Sequence, residues 1–184
     1  MSHVLCPALF ISAPSSGQGK TTITCALARL LSRQGKVVKI FKTGPDYLDP
    51  QILAQASGQP VEPIDIWMAG AEYCQQRFYE AAKTADLILV EGAMGLFDGD
   101  PSSADLAALF HIPIALVMDV KGMAQTAAVI AIGLANYRSD ITVCGLIANN
   151  CGTQRHRELI EDTLPAHIPL LATLKRAEAV ALPE

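Results

Sequence analysis

The chain has 184 residues, 51% of them hydrophobic and 17% charged, and 14 basic against 18 acidic side chains leave a net charge of −4. That length suits one domain with a full hydrophobic core, and the acidic balance gives no support for nucleic acid as a general partner. No apolar run approaches the roughly 18–20 residues of a membrane span, and the opening MSHVLCPALFIS lacks the basic flank and cleavage pattern of a signal peptide. Five scattered cysteines without a C-x-x-C pair point to reduced thiols in a cytoplasmic protein, Cys6 and Cys144 as core packing, and four scattered histidines offer no zinc site.

In chain order, the apolar run at 4–12 predicts a first strand, and the spacing over 20–34 predicts a helix. A second strand follows at 37–41. The stretch 57–65, SGQPVEPID, holds two prolines and reads as a surface connection. Then come a helix over 71–83, strands at 87–90 and 114–118, a helix over 124–137, a strand at 142–148, a helix over 154–164 and a last strand at 169–172. Continuous apolar strands alternating with helices predict a doubly wound α/β domain with a mostly parallel sheet covered on both faces. Ligands then bind at the carboxyl ends of the strands. The closing LKRAEAVALPE leaves the pattern, so the expected domain is 1–174 and 175–184 the start of a linker.

Between the first strand and the first helix lies APSSGQGKTT, residues 13–22. Gly19, Lys20 and Thr21 form the second half of a G-x-x-x-x-G-K-[ST] loop, with Pro14 where the first glycine would stand. Gly17 and Gly19 let backbone N–H groups approach phosphate oxygens, and the helix from Lys20 offers its positive end. Lys20 would neutralise the phosphates, Ser15 and Ser16 would add hydroxyl contacts, and Thr22 completes the nucleotide-binding set. A Mg²⁺ companion needs oxygen ligands. Thr21, Glu91 after the strand DLILV, and Asp46 after VVKIF all sit at strand ends and form the expected metal trio. Asp49 is either a functional acid or simply a helix N-cap before Pro50.

APSSGQGKTT, FKTGPDYLDP, VEGAMGLFDG and GLIANNCG, in this order and spanning nearly the whole chain, resemble the cobyrinic acid a,c-diamide synthases, members of the P-loop NTPase group that includes dethiobiotin synthetase. In that family the loop commonly reads A-P-S-S-G-x-G-K-T, which makes Pro14 a family feature. The resemblance implies an ATP- and Mg²⁺-dependent ligase of cobalamin biosynthesis. It would amidate the a and c acetate carboxylates of cobyrinic or hydrogenobyrinic acid through an acyl phosphate. Ammonia would come from a class I glutamine amidotransferase domain, for which no G-x-C-x-G elbow occurs here.

On that reading Lys42 neutralises the incoming carboxylate and the transferring phosphoryl group, unless it is a surface lysine at a strand end. Asp49 and Asp98 orient substrate or ammonia. Tyr47 and Phe97 pack either on the macrocycle or in the core, and Asn149 matches the position that hydrogen-bonds adenine in related enzymes. Asp119 has no assigned role, and Trp67 and His111 read as core or surface residues. A homodimer is possible, and an apolar face is expected where a second domain would dock. Two alternatives stay open: a nickel-sirohydrochlorin a,c-diamide synthase or another ligase of the group, and a switch ATPase of the MinD and ParA kind. The latter usually carries an earlier lysine in its loop, absent from APSSGQGKT.

Overall fold

The computed structural model describes residues 4–175, so the expected linker lies, beyond Lys175, outside the described residues. β1 (Ala8–Ser12) leads through the phosphate loop into α1 (Lys20–Arg33), and β2 (Val38–Thr43) leads into α2 (Asp49–Ser57). β3 (Val61–Ile64), α3 (Ile66–Ala69), α4 (Ala71–Ala82), β4 (Leu87–Glu91) and α5 (Ser103–Phe110) follow. β5 (Ile114–Asp119), α6 (Gln125–Asn136), β6 (Val143–Asn149), α7 (Gln154–Glu161) and β7 (Leu170–Thr173) complete the described fold. The strands form one sheet in the order β3-β2-β4-β1-β5-β6-β7, with every pairing parallel.

The apolar runs are continuous because both faces are covered. Ile88 and Val90 of β4 pack with Phe10, Phe41 and Leu116 on one side, while Leu89 joins Val38, Ile40, Leu53 and Ala28 on the other. Phe41, Phe78 and Phe110 stack in series, tying β2 to α4 and α5. Of the cysteines placed in the core, Cys6 and Cys144 are half-buried and pack at the edges of these clusters.

Three expectations need correction. The stretch read as a surface connection contains β3, paired with β2 from Ile40↔Val61 to Thr43↔Ile64. Pro63 is tolerated because β3 is an edge strand, where a missing N–H breaks no ladder. The first strand starts at Ala8, not residue 4. Helices α2, α3 and α5 are additional; Pro50 sits in the first turn of α2, where its absent N–H has no partner to lose. Among the described residues, no helix is long and apolar enough to cross a membrane.

Candidate functional site

The ends of β1, β2, β3 and β4 open into one cavity of about 920 Å³. On one wall lie Ser16, Gly17, Gly19, Lys20, Thr21 and Thr22. Gly17 and Gly19 adopt left-handed φ of 74° and 95°, which permits the loop's tight curl. Gly19 precedes α1 without any side-chain cap, so the first N–H groups of the helix are left for an anion. The Lys20 ammonium is buried, donating to the carbonyl of Met94 at 2.7 Å and of Ser15 at 3.3 Å. Burial lowers its pKa, with the Glu91 carboxylate working in the opposite direction.

Thr21 Oγ1 stands 2.7 Å from Glu91 Oε1 and 3.0 Å from Asp49 Oδ2. A hydroxyl has one proton to donate, so only one of these contacts can be a Thr21 donation and the other needs a carboxyl proton. Glu91 is 1% exposed and its Oε2 has no hydrogen-bond partner. Burial raises its pKa, against the pull of Thr21 and Lys42. Asp49 is also held above the usual range, by burial and by its contact with Asp46. Asp46 goes the other way: burial opposes ionisation, but hydrogen bonds from Asp49 and Leu48 and the Lys42 charge prevail.

Of the expected metal trio of Thr21, Asp46 and Glu91, the structure joins Thr21 to Glu91 and brings Asp49 rather than Asp46 onto Thr21, with Asp46 lining the same cavity. Asp46 Oδ1 accepts from the backbone N–H of Leu48 and Asp49, starting α2, and its Oδ2 lies 3.7 Å from Lys42 Nζ. That turn aims Asp49, the first residue of α2, inward; the N-cap position itself is Leu48. An orphaned carboxylate oxygen and an over-committed hydroxyl beneath a phosphate loop fit a hard divalent cation. No group of three or more His, Cys, Asp or Glu that could hold a metal occurs among the described residues. Phosphate and water oxygens would have to complete the shell, the ordinary arrangement for Mg²⁺.

Lys42 is 4% exposed and lines the cavity, so it is not a surface lysine. Asp98 also lines it, one oxygen accepting from Gly95 N at 2.9 Å. Asn149 is not in the cavity wall: its amide donates to the carbonyl of Gln18 at 3.1 Å, bracing the phosphate loop from behind. Ser15 lies outside the wall too, its hydroxyl accepting from Gln18 and donating to Ser16 O. Asp119 joins the same brace through its N–H to Gln18 and its carboxylate to Asn150. Phe97 packs against the core, edge-on to Tyr137 at 4.8 Å, and Tyr47 is 87% exposed outside the wall. Burial is the leading cause that raises all five thiols, so none is an activated nucleophile.

Sequence reasoning missed Trp67, Ser103 and the Met94 carbonyl at the cavity. Identifying β3 would have flagged Trp67 as a strand-end residue. Nothing in the sequence announces Met94, whose φ of 50° turns its carbonyl onto Lys20.

An all-parallel sheet with a glycine-rich loop opening an uncapped helix beside a buried strand-end glutamate defines a P-loop nucleotide-binding protein. Within that class the chain belongs to the CobQ/CobB/MinD/ParA nucleotide binding domain family, whose model matches residues 9–184. A relative from Stutzerimonas stutzeri, named hydrogenobyrinate a,c-diamide synthase, is 53% identical over 97% of this chain and 41% of its own length. One of the same name from Pseudomonas aeruginosa is 50% identical over 100% of this chain and 42% of its own. The chain thus spans about two fifths of the length of these relatives. Among solved structures, the signal recognition particle receptor FtsY from Elizabethkingia anophelis superposes with a TM-score of 0.69. At 17% identity over 98% of this chain and 63% of that one, it shares the fold.

Proposed function

We propose that this chain is the ATP- and Mg²⁺-dependent synthetase part of a hydrogenobyrinate or cobyrinate a,c-diamide synthase, amidating two acetate carboxylates of the ring. The observation that carries the reading is that the phosphate loop, the Thr21–Asp49–Glu91 cluster and buried Lys42 open into one cavity. The names of the relatives at 53% and 50% identity support the substrate class.

A carboxylate does not react with ammonia at neutral pH, because oxide is a poor leaving group. Here a substrate carboxylate oxygen attacks the γ-phosphorus of ATP and ADP departs. Ammonia then adds to the acyl carbon, phosphate leaves and the nitrogen loses a proton. Catalysis of the first transfer is positioning and charge neutralisation. Lys20 and the free N–H groups at the start of α1 hold the phosphates. Lys42, drawn from Asp46 to the incoming carboxylate, offsets its charge, and Asp98 keeps the loop over the cleft in shape. Thr21, Asp49 and Glu91 would hold Mg²⁺, which would screen the phosphate oxygens. Ammonia comes from a class I glutaminase domain.

The test is product analysis by mass spectrometry with the polypeptide of residues 1–184. Hydrogenobyrinic acid, cobyrinic acid and nickel-sirohydrochlorin are each supplied with ATP, Mg²⁺ and either ammonium or glutamine. Mono- and diamide from ammonium but not from glutamine is the expected result with one of the first two. Nickel-sirohydrochlorin as the sole substrate would shift the assignment to that tetrapyrrole. ATP hydrolysis indifferent to all three acids would overturn the ligase reading.

A further inference from the structure

Trp67 is the only tryptophan of the chain, and it is 80% exposed in the wall of the cavity that holds the phosphate loop. Met94, 50% exposed, and Leu48, 53% exposed, line the same space from two other loops. Tyr47 and Met68, also exposed, adjoin them in sequence. An aromatic side chain of this size left in water beside a cleft, with apolar neighbours from separate loops, marks a contact surface rather than isolated exposure.

Charge cannot supply the affinity for a polyanionic substrate. Among the described residues, six carboxylate side chains line the cavity against two lysines. Beyond Lys42, a polycarboxylate therefore meets no net charge attraction from the walls, which leaves a role for apolar contact in holding its ring.

The strand order places the parts in sequence. β3, which leads to Trp67, is separated from β1 by β2 and β4. At about 4.8 Å per strand, Trp67 follows a strand roughly 14 Å from the one that opens the phosphate loop. Between them stand Lys42 at the end of β2 and Glu91 at the end of β4. A substrate face resting at the β3 side would send an acetate arm over Lys42 toward the phosphates above Lys20.

We propose that Trp67, in a cavity that Met94 and Leu48 also line, is the platform for the face of the tetrapyrrole ring and sets its affinity without touching the nucleotide. This rests on the amidation reading above. Steady-state kinetics with ammonium, varying hydrogenobyrinic acid and ATP separately, test it on wild type, Trp67→Ala and Trp67→Phe. Trp67→Ala raises KM for hydrogenobyrinic acid roughly five- to tenfold. KM for ATP, kcat and the melting temperature stay at wild-type values, and Trp67→Phe restores most of the loss. An unchanged KM for hydrogenobyrinic acid in Trp67→Ala, with wild type active, overturns the platform alone. A rise confined to the KM of ATP overturns it in favour of base stacking. The acid varied is whichever of hydrogenobyrinic and cobyrinic acid the wild type amidates; wild-type protein that amidates neither overturns the amidation reading, and the platform with it.

Discussion

Glu91 shows what a site costs the protein that carries it. A carboxylate at 1% exposure with one oxygen unpartnered is held in place by the strand that buries it, although its charge would be better solvated in the unfolded chain. Because its folded pKa is raised, the native state keeps the proton longer than the unfolded one. Without Mg²⁺, stability therefore falls as pH rises from the ordinary glutamate range near 4.3 through the raised folded value. Glu91→Gln removes that loss. In cation-free protein at pH 7 it should gain about 1 kcal/mol, a rise of roughly 2–4 °C in melting temperature, while losing its response to Mg²⁺. Calorimetry from pH 4 to 8 checks this, and a Gln variant less stable than wild type at pH 7 would sink it.

At the scale of elements, the loop after β4 is laced to the phosphate loop. Gly92 N donates to Ile11 O, Leu96 N to Ala13 O, and Lys20 to Met94 O. Gly95 lies tight against the phosphate loop: a Cβ there would lie 2.6 Å from both the Pro14 carbonyl oxygen and Asp98 Oδ2. Gly95→Ala must push the two loops apart. It should cost about 1–3 kcal/mol in denaturant unfolding and weaken ATP binding. Gly133→Ala is the control, since that glycine lies within α6 with nothing within 4 Å of its would-be Cβ. It should be neutral or stabilise by roughly 0.5–1 kcal/mol. Equal effects of the two substitutions would remove the argument from close approach.

At the scale of the molecule, the cavity is bounded by the ends of four of the seven described strands, so a ligand there ties β1, β2, β3 and β4 together. Nucleotide that binds only the folded chain should stabilise it by mass action, by about 2.7 kcal/mol at a hundredfold excess over Kd. That is a rise of roughly 5–11 °C. A thermal melt with ATP, with and without chelator, reads it. A shift that survives removal of Mg²⁺ undiminished would count against Thr21, Asp49 and Glu91 as cation ligands.

How much was legible depends on which signals are local. The apolar strand runs, the phosphate loop and the strand-end position of Glu91 lie in contiguous residues, because burial on both sheet faces and phosphate binding by a loop impose short patterns on the chain. β3 escaped because Pro60 and Pro63 speak for a loop locally, and only its edge position, a property of the sheet, makes them harmless. Asp46 and Asp49 are three residues apart, and nothing in the order of residues says which meets Thr21. The direction of the turn into α2 settles that, through the two backbone N–H groups that Asp46 accepts. Asn149 sits at a strand end as expected, yet its amide turns to Gln18 rather than into the cavity. The sequence by itself determined the fold class, the phosphate loop and the family resemblance, all of which rest on local pattern. Which carboxylates meet Thr21, that Lys42 is buried, and that Trp67 shares a cavity with Lys20 were decided by tertiary structure alone, because each depends on where separate strand ends meet.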